Sequence, residues 1–274
     1  MDHTRRRGRI RGRARPGPAG CRHSAPGGAG AAPDSGGPAM MRRLTVLLLG
    51  LLLLPAALAS DDDPLQSALD KMRSGDYAEA YCLLRPLAEQ GDDRAQFALG
   101  WMYHNGYGLR INEDQAIAWW QRAARQDNAD AVFALAQLHE LGTGVKRDPA
   151  TAARLYVQAL ELGSEEARNL ILGLLQRGDA KLRSALVQAL DGHWTRLGEI
   201  RHIRSERANV REGPGTHRRI LFRLRQADPV LIVSRKGRWV GIIDAKQGRP
   251  GWVHDSLIEP SGTQTASPEA AGAA

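Results

Sequence analysis

Apolar positions between residues 93 and 163 repeat with a fixed period of 36 residues. Seven residues recur at this spacing, with Ala95, Leu99, Gly106, Gly108, Ala116, Trp120 and Ala123 returning as Ala131, Leu135, Gly142, Gly144, Ala152, Tyr156 and Ala159. The first helix of the earlier copy carries its apolar residues at the i, i+3, i+4, i+7 spacing of one helix face: Ala95, Ala98, Leu99 and Met102. A fixed period of this length is typical of stacked helical units, none of which can bury its apolar face alone.

The segments on either side continue the period with shorter turns. Ala80 precedes Ala116 by 36 residues, and Ala167 and Ile171 follow Ala131 and Leu135 by the same spacing. Both flanking units replace the G-x-G loop with a Gly-Asp turn, which suits atypical terminal units of a solenoid. We therefore predict a helical solenoid of about eight helices at residues 64–192. Asn112 and Asp148 are the predicted N-caps of the second helices, and Pro149 fits the first helical position.

The order of small and aromatic positions carries a family resemblance. An A-x-x-x-L helix, a G-x-G loop and an A-x-x-x-(W/Y)-x-x-A helix follow one another twice, and this pattern resembles the Sel-1-like repeat. The resemblance implies an all-α solenoid related to tetratricopeptide repeats. It also implies a surface that binds other proteins rather than a catalytic site.

The helical period stops near Gly192, and short alternating segments follow. Ile220–Leu224, Val230–Ser234, Trp239–Ile243 and Gly251–Val253 are predicted strands, separated by turn residues at spacings of about ten. Three blocks, Asn209-Val210-Arg211-x-Gly213-Pro214-Gly215, Gly237-x-Trp239-Val240 and Gly251-Trp252-Val253, resemble the bacterial type of Src-homology-3 domain. The resemblance implies a small all-β barrel at residues 201–259, after a linker at 193–200 and before a disordered tail at 260–274.

The first 63 residues have a composition unlike the rest of the chain. Residues 1–39 are rich in Arg, Gly and Pro and are predicted to be a disordered leader, which suggests a translation start assigned too far upstream. Residues 40–59 combine a basic start, the apolar run Leu44–Leu54 and an Ala-Leu-Ala ending, which is typical of a signal peptide cleaved after Ala59. The apolar run is short for a membrane span. We expect an exported, periplasmic protein whose mature chain begins with the acidic residues 60–63.

Charge is distributed unevenly along the chain. The formal net charge is +8, and residues 1–43 alone, with ten Arg and two Asp, account for it. The remainder is balanced overall, with a net charge of −6 from Ser60 to Thr195 and +6 from Arg196 onward. Nucleic acid is therefore not an expected partner, although the chain as a whole has a pI near 10.0.

Two cysteines are present, Cys21 in the leader and Cys82 in an apolar helical pattern. Removal of the leader would leave one cysteine, so we expect no internal disulfide in the mature chain. Cys82 is expected to be a small core residue rather than a reactive thiol.

No catalytic or metal-binding pattern is present. The histidines are scattered without the spacing of metal ligands, and the two G-x-G loops follow helices rather than the strands that a phosphate-binding loop requires. Glu113-Asp114 and Glu165-Glu166 open helices, where the helix dipole favours negative charge. We expect a protein that is not an enzyme and has no cofactor and no metal.

Aromatic residues of the solenoid are candidates for partner binding. Trp101, Tyr107 and Trp119 are in excess of the positions that the repeat assigns to its core, where Trp120 and Tyr156 are expected. Trp119 has Leu155 as its counterpart, and the sequence leaves open whether it lies at the surface. An exposed aromatic side chain in a groove would anchor a partner.

The barrel has its own candidate ligand residues, implied by the family resemblance. Asn209, Arg211, Glu212, Trp239 and His254 would border a groove for short peptides, such as those of cell-wall peptidoglycan. Arg211 could pair with a peptide carboxylate through two hydrogen bonds. The basic charge also allows attraction to an anionic wall or membrane polymer, and the barrel could equally dock on the acidic solenoid of its own chain.

Two functions follow from these features. The first is a non-catalytic exported adaptor, whose solenoid binds an envelope protein while the barrel binds peptidoglycan or its peptides. The alternative is a regulatory subunit of a cell-wall hydrolase or polymer-export complex, with the barrel packed on its own solenoid. The sequence does not identify the protein partner.

Overall fold

The computed structural model describes residues 63–260. The predicted leader, signal peptide and most of the predicted tail lie outside these residues. The described chain forms a helical solenoid followed by an antiparallel sheet. Its helices are α1 (Pro64–Ser74), α2 (Tyr77–Gln90), α3 (Asp93–Asn105), α4 (Glu113–Ala124), α5 (Ala129–Leu141), α6 (Pro149–Glu161), α7 (Glu165–Arg177), α8 (Ala180–Ala189) and α9 (Trp194–Leu197). The strands are β1 (Ile200–His202), β2 (Arg207–Arg211), β3 (Ile220–Arg225), β4 (Pro229–Lys236), β5 (Trp239–Asp244) and β6 (Pro250–His254).

The predicted helix boundaries follow from capping residues. Asn112 accepts a hydrogen bond from the Gln115 amide at the start of α4, and Asp148 accepts from the Ala150 and Thr151 amides at the start of α6. These side chains satisfy amides that have no partner within the helix. The glycines that end α3 and α5 have positive φ angles of 73° and 81°, so the chain can turn there without the penalty that a Cβ would impose.

Small residues bring the helices of each repeat close together. Ala95, Ala116, Ala131 and Ala152 are fully buried, and the large aromatic side chains pack between these small positions. Trp120 and Tyr156 occupy equivalent core positions with 1% and 0% of their surface exposed, as predicted. The indole N–H of Trp120 donates to the Phe97 carbonyl over 3.1 Å, whereas the Tyr156 hydroxyl donates to the Glu140 carboxylate over 2.5 Å. The polar atoms of these two buried rings thus have hydrogen-bond partners.

The six strands form one sheet in the order β1-β4-β5-β6-β2-β3, with every neighbouring pair antiparallel. One face of the sheet buries the domain's own core, which includes Val210, Leu224, Val240, Ile242 and Val253. The predicted strands β3 to β6 are present. The sequence did not predict β1, which begins at Ile200 and occupies the edge opposite β3.

The sheet packs directly on the last solenoid unit. Leu231 and Ile243, on the sheet face opposite its own core, share a continuous cluster with Ile171, Leu182 and other residues of α6, α7 and α8. The segment predicted as a linker, 193–200, is not an open connection. It contains α9, which contributes Leu197 and Trp194 to the same cluster. The two domains therefore share one hydrophobic core at their junction.

A tight backbone contact and a polar bond support this junction. Gly248 lies in the turn before β6 with φ of 65°, and a Cβ placed there would come within 2.6 Å of Val187 Cγ2. Arg168 of α7 donates from Nε to the carbonyl oxygen of Leu197 over 3.3 Å. Of the arrangements expected for the barrel, docking on its own solenoid is present in the structure.

Cys82 departs from the sequence expectation. It is half-buried in α2 rather than fully buried in the core, and it is disulfide-bonded in the structure. The expectation of no internal disulfide concerns the chain after removal of the leader, and it stays a prediction. Cys21, the only other cysteine of the chain, lies outside the described residues.

Candidate functional site

The structure places one of the three solenoid candidates at the surface. Trp101 on α3 is 38% exposed, the largest exposure of any tryptophan that the structure describes. Its ring lies 6.3 Å from Phe97 and 6.3 Å from His104, measured between centroids. His104 in turn contacts the buried Trp120 at 5.3 Å, so the exposed ring rests on a continuous aromatic cluster. We call Phe97, Trp101 and His104 the α3 aromatic patch.

Polar bonds hold this patch in one arrangement. His104 Nδ1 lies 2.9 Å from the Glu113 carboxylate at the start of α4. Asn105 donates from its side-chain amide to the Trp101 carbonyl over 2.9 Å. Because both partners lie on the repeat itself, Trp101 is presented on a rigid support. The corresponding position of the next repeat is Gln137, so the patch does not repeat along the solenoid.

The other two solenoid candidates lie elsewhere. Trp119 is only 9% exposed and packs in the core formed by α1, α2 and α3, which settles the position that the sequence left open. Arg122 covers its ring with the guanidinium carbon 4.4 Å from the centroid. Tyr107 is half-buried in the loop after α3 and stacks on Tyr77 at 4.8 Å. The structure therefore does not bring Trp101, Tyr107 and Trp119 together as one surface.

Four of the five candidates in the sheet domain lie on one sheet face. Trp239 and His254 are directly opposite each other on β5 and β6, with ring centroids 5.5 Å apart in an edge-to-face arrangement. Arg211 of β2 is opposite Trp252 of β6, and Asn209 lies two residues along β2 on the same face. This outer face is the continuation of the one that contacts the solenoid, at the opposite end of the sheet.

Glu212 is the exception among these five. It follows the end of β2, where its amide donates to the Arg219 carbonyl over 3.0 Å and its exposed carboxylate lies 3.8 Å from the Arg219 guanidinium. Its contacts belong to the loop between β2 and β3, away from the paired rings of Trp239 and His254.

Trp252 belongs to the outer face, although the sequence did not single it out as a ligand residue. A Cβ placed on Gly241 would lie 3.6 Å from Trp252 Cη2, so the indole ring covers the backbone of β5 at this glycine. Gly241 and Trp252 are directly opposite each other in the ladder. The alternation Trp239-x-Gly241 against Trp252-x-His254 was a readable signal, because every second residue of a strand shares one face.

Arginines extend this face to the sheet edge. Arg211 donates from Nη1 to the Arg218 carbonyl over 2.7 Å, which fixes its guanidinium over the loop. Arg223 of β3 donates from Nε to Asn209 Oδ1 over 3.1 Å. The outer face thus presents aromatic rings toward β5 and β6, and guanidinium groups toward β2 and β3.

A cleft of about 610 Å³ lies where the two domains meet. It is lined by α8 and α9 on one side and by Ile200, Pro229 and Lys246 on the other. Within residues 63–260, no group of three or more His, Cys, Asp or Glu side chains is placed to hold a metal ion. In the same part of the chain, no helix is long and apolar enough to cross a membrane.

Comparison with known families agrees with this architecture. Residues 93–128 and 129–164 match the Sel1 repeat, and residues 204–260 match the bacterial SH3 domain. The chain therefore contains two Sel1 repeats followed by a bacterial SH3 domain, as the residue patterns predict. Sel1 repeats are in general protein-interaction scaffolds. We refer to the sheet domain below as the SH3 domain.

Two curated relatives from Arabidopsis thaliana match part of the solenoid. They are the ERAD-associated E3 ubiquitin-protein ligase components HRD3B, 35% identical over 82 residues, and HRD3A, 32% identical over 85 residues. The matches cover 30% and 31% of this chain but only 14% and 12% of those proteins. The chain thus resembles a small part of each relative.

Three solved structures match part of the chain. A Sel1 repeat protein from Oxalobacter formigenes is 23% identical, covering 48% of this chain and 54% of that one, with a TM-score of 0.40. A protective antigen of uropathogenic Escherichia coli with an SLR fold is 25% identical, covering 49% and 29%, with a TM-score of 0.41. Helicobacter pylori cysteine rich protein B is 20% identical, covering 39% and 88%, with a TM-score of 0.34.

Proposed function

We propose that this protein is an exported, periplasmic adaptor that binds peptidoglycan through its SH3 domain and an envelope protein through its solenoid. The observation that carries the proposal is the outer face of the SH3 domain, where Trp239, His254, Trp252 and Arg211 lie side by side without cover from the solenoid. Aromatic rings beside a guanidinium group suit a short peptide that ends in a carboxylate.

The solenoid supplies the second surface. Trp101 is an exposed ring on a rigid aromatic base, and such residues dominate the binding energy of protein interfaces. The patch lies on α3, while the SH3 domain contacts the opposite end of the solenoid at α7 and α8. One chain could therefore hold both ligands at once.

Peptidoglycan binding is tested by co-sedimentation of the mature chain, residues 60–274, with insoluble peptidoglycan. Deletion of the SH3 domain would expose the core shared with the solenoid, so point variants are the better probe. We expect Trp239→Ala combined with Arg211→Gln to reduce the bound fraction at least about tenfold, because anchor residues typically contribute more than 1 kcal/mol. Trp101→Ala is the matched control and should sediment like the parent chain. Equal sedimentation of both variants would rule out this face as the wall anchor.

Export is tested by N-terminal sequencing of the protein recovered from the periplasm. Cleavage after Ala59 gives a chain that begins at Ser60. A chain that stays in the cytoplasm with residues 1–59 intact would contradict the export proposal, while leaving the binding surfaces to be judged by sedimentation.

A second candidate function is favoured by the shared core between the domains. A protein whose SH3 domain is fixed on its own solenoid suits the role of a regulatory subunit in a wall-hydrolase or polymer-export complex. Cross-linking in envelope extracts distinguishes the two functions. If the protein is a regulatory subunit, one enzyme should be isolated with it in a stoichiometric amount. Trp101→Ala should lose that enzyme, and a recovery unchanged by this variant would exclude the α3 aromatic patch as its binding site.

A further inference from the structure

The hairpin formed by β2 and β3 concentrates three exposed arginines, of which Arg225 lies near the Asp228 carboxylate. Arg207 and Arg225 are directly opposite each other, and Arg223 is opposite Asn209 on the same outer face. All three side chains are exposed. None of them forms an ion pair with a carboxylate among residues 63–260, whereas nearby Lys246 and Arg249 bind Asp228 and Asp244.

The backbone brings the first two arginines especially close. The Arg225 amide donates to the Asp228 carboxylate over 2.7 Å, and the Arg225 carbonyl accepts from the Asp228 amide over 3.1 Å. Both backbone groups of Arg225 are therefore engaged in the turn rather than with Arg207 across the ladder. Arg207 and Arg225 therefore form a non-hydrogen-bonded pair, in which the side chains lie closer together than in a hydrogen-bonded pair. Like charges at directly opposite positions destabilise a sheet. An anionic ligand would remove this repulsion.

Exposed aliphatic residues lie on the same hairpin. Ile220 is 38% exposed and Leu221 is 42% exposed, and both belong to β3. A register shift in the pairing of β2 with β3 falls at this end of the hairpin. Because β3 is the last strand in the sheet order, these residues project at the edge farthest from β1 and from the solenoid contact.

Protection of the sheet edge explains only part of this arrangement. Charged residues on an edge strand discourage pairing with another sheet, which would account for Arg223 and Arg225. The same protection extends to Arg207, because β2 pairs with β6 only at Arg211 and is open on that side at Arg207. It does not account for two large aliphatic residues exposed on that same edge. Arginines outside ion pairs beside exposed aliphatic residues suit a ligand that offers both negative charge and an apolar layer.

We propose that the β2–β3 hairpin, through Arg207, Arg223, Arg225, Ile220 and Leu221, docks on an anionic phospholipid surface. Lipid phosphates accept the guanidinium hydrogen bonds, and Ile220 and Leu221 enter the boundary between headgroups and acyl chains. Surface binding of this type combines burial of apolar area with attraction to anionic lipids. A hydrated polyanion, such as a nucleic acid or free phosphate, offers no apolar layer to the aliphatic pair. The proposal does not depend on peptidoglycan binding.

Vesicle co-sedimentation of the mature chain, residues 60–274, tests this docking. We expect binding to vesicles that contain phosphatidylglycerol with phosphatidylcholine, and little binding to phosphatidylcholine alone. Each arginine near an anionic surface contributes on the order of a fivefold change in partition. Arg223→Gln combined with Arg225→Gln should therefore lower the partition coefficient by roughly 25-fold.

Two further variants test whether vesicle binding depends on the hairpin residues themselves rather than on overall charge. Arg110→Gln combined with Arg125→Gln removes the same charge from exposed positions of the solenoid, and it should bind like the parent chain. Leu221→Gln should weaken binding at high salt, where the aliphatic contribution remains after electrostatic attraction is screened. Urea unfolding of each variant confirms that the exposed substitutions leave the fold intact.

Three outcomes would overturn the proposal. One is equal binding to neutral and anionic vesicles, and another is an equal loss of binding in the solenoid control. The third is binding of inorganic pyrophosphate, duplex DNA or an acidic peptide to the hairpin without vesicle binding, which would assign the arginines to a soluble anion. Trp239→Ala separates the surfaces, because it should impair peptidoglycan sedimentation and leave vesicle binding unchanged.

Discussion

Gly248 of the SH3 domain lies directly against Val187 of helix α8. A Cβ at Gly248 would approach Val187 Cγ2 to 2.6 Å, and it would also lie 3.3 Å from Arg183 Cγ and 3.4 Å from Leu175 Cδ2. The contact is close because Gly248 has no side chain and because its φ of 65° turns the chain toward the solenoid. The close approach of the two domains thus depends on one glycine.

Gly248→Ala is expected to destabilise the junction by two separate effects. The positive φ costs about 1–2 kcal/mol for any residue with a Cβ, and the clash with α8 adds about 1–3 kcal/mol. Gly237→Ala is the matched control, since Gly237 has φ of 59° and no atom within 4 Å of the added Cβ. Urea unfolding of both variants isolates the contact with α8. Equal losses of stability in the two variants would mean that the added Cβ at position 248 causes no destabilising clash with α8.

Tyr156→Phe should destabilise the second repeat. The variant leaves the Glu140 carboxylate without the hydroxyl donor that lies 2.5 Å away, and loss of a hydrogen bond to a charged group costs about 1.5–3 kcal/mol. Tyr107→Phe, whose hydroxyl lies in the loop after α3, should cost less. An effect of Tyr156→Phe no larger than that of Tyr107→Phe would contradict this account.

Tyr156 should also make the stability of the protein depend on pH in the alkaline range. Burial, and then the hydrogen bond and negative charge of Glu140, raise the pKa of Tyr156 well above its ordinary value of 10.0. A raised folded-state pKa contributes stability that is present below pH 10 and is lost as the pH rises beyond it. The difference in free energy of unfolding between the parent chain and Tyr156→Phe should therefore narrow above pH 10. A constant difference would mean that Tyr156 ionises equally in both states.

Asp148 should make the stability that it gives to helix α6 depend on pH in the acid range. The Thr151 hydroxyl and the Thr151 amide donate to its carboxylate, and these bonds lower the pKa of Asp148 from its ordinary value of 3.8. A lowered folded-state pKa contributes stability that is present above pH 3.8 and is lost as the pH falls through the folded-state value. Asp148→Ala should lower the urea midpoint at pH 7. Its deficit should shrink below pH 3.8, while Asp148→Asn, which keeps a capping oxygen, should lose less at pH 7.

Truncation of Trp119 should lower the free energy of unfolding by more than truncation of Trp101. Trp119→Ala removes a buried ring from the first core cluster and should cost about 3–5 kcal/mol of unfolding free energy. Trp101→Ala removes a ring that is 38% exposed and should cost distinctly less. Chemical denaturation measures both. Comparable losses would mean that Trp101 belongs to the core and cannot serve as a free partner anchor.

The solenoid could be predicted from the sequence because its signals are local and repeated. Ala95 and Ala131 mark equivalent buried positions, and Asn112 and Asp148 mark helix starts through bonds that span two or three residues. The sequence did not show whether Trp119 lies in the core or at the surface. Its neighbours on α1 and α2 lie far away in sequence, and its counterpart in the next repeat, Leu155, is not aromatic.

The sheet domain was predictable as a set of strands but not as an arrangement. The sequence gives no indication that Ile243 faces the solenoid while Ile242 faces the domain core, because both are apolar and adjacent. The same limit applies to Trp252, whose position over Gly241 depends on the pairing of β5 with β6. The opposition of Arg207 to Arg225 likewise depends on register, which is fixed by the turn between β2 and β3.

The shared core at the domain junction makes the protein a spacer of fixed length. A ligand on the outer sheet face and a partner on the α3 aromatic patch cannot swing independently, because α6 to α9 and the sheet are packed as one body. The number of repeats between them sets their separation. Since neighbouring helices pack 8–10 Å apart, inserting one more 36-residue repeat would move the two bound molecules apart by roughly 10 Å.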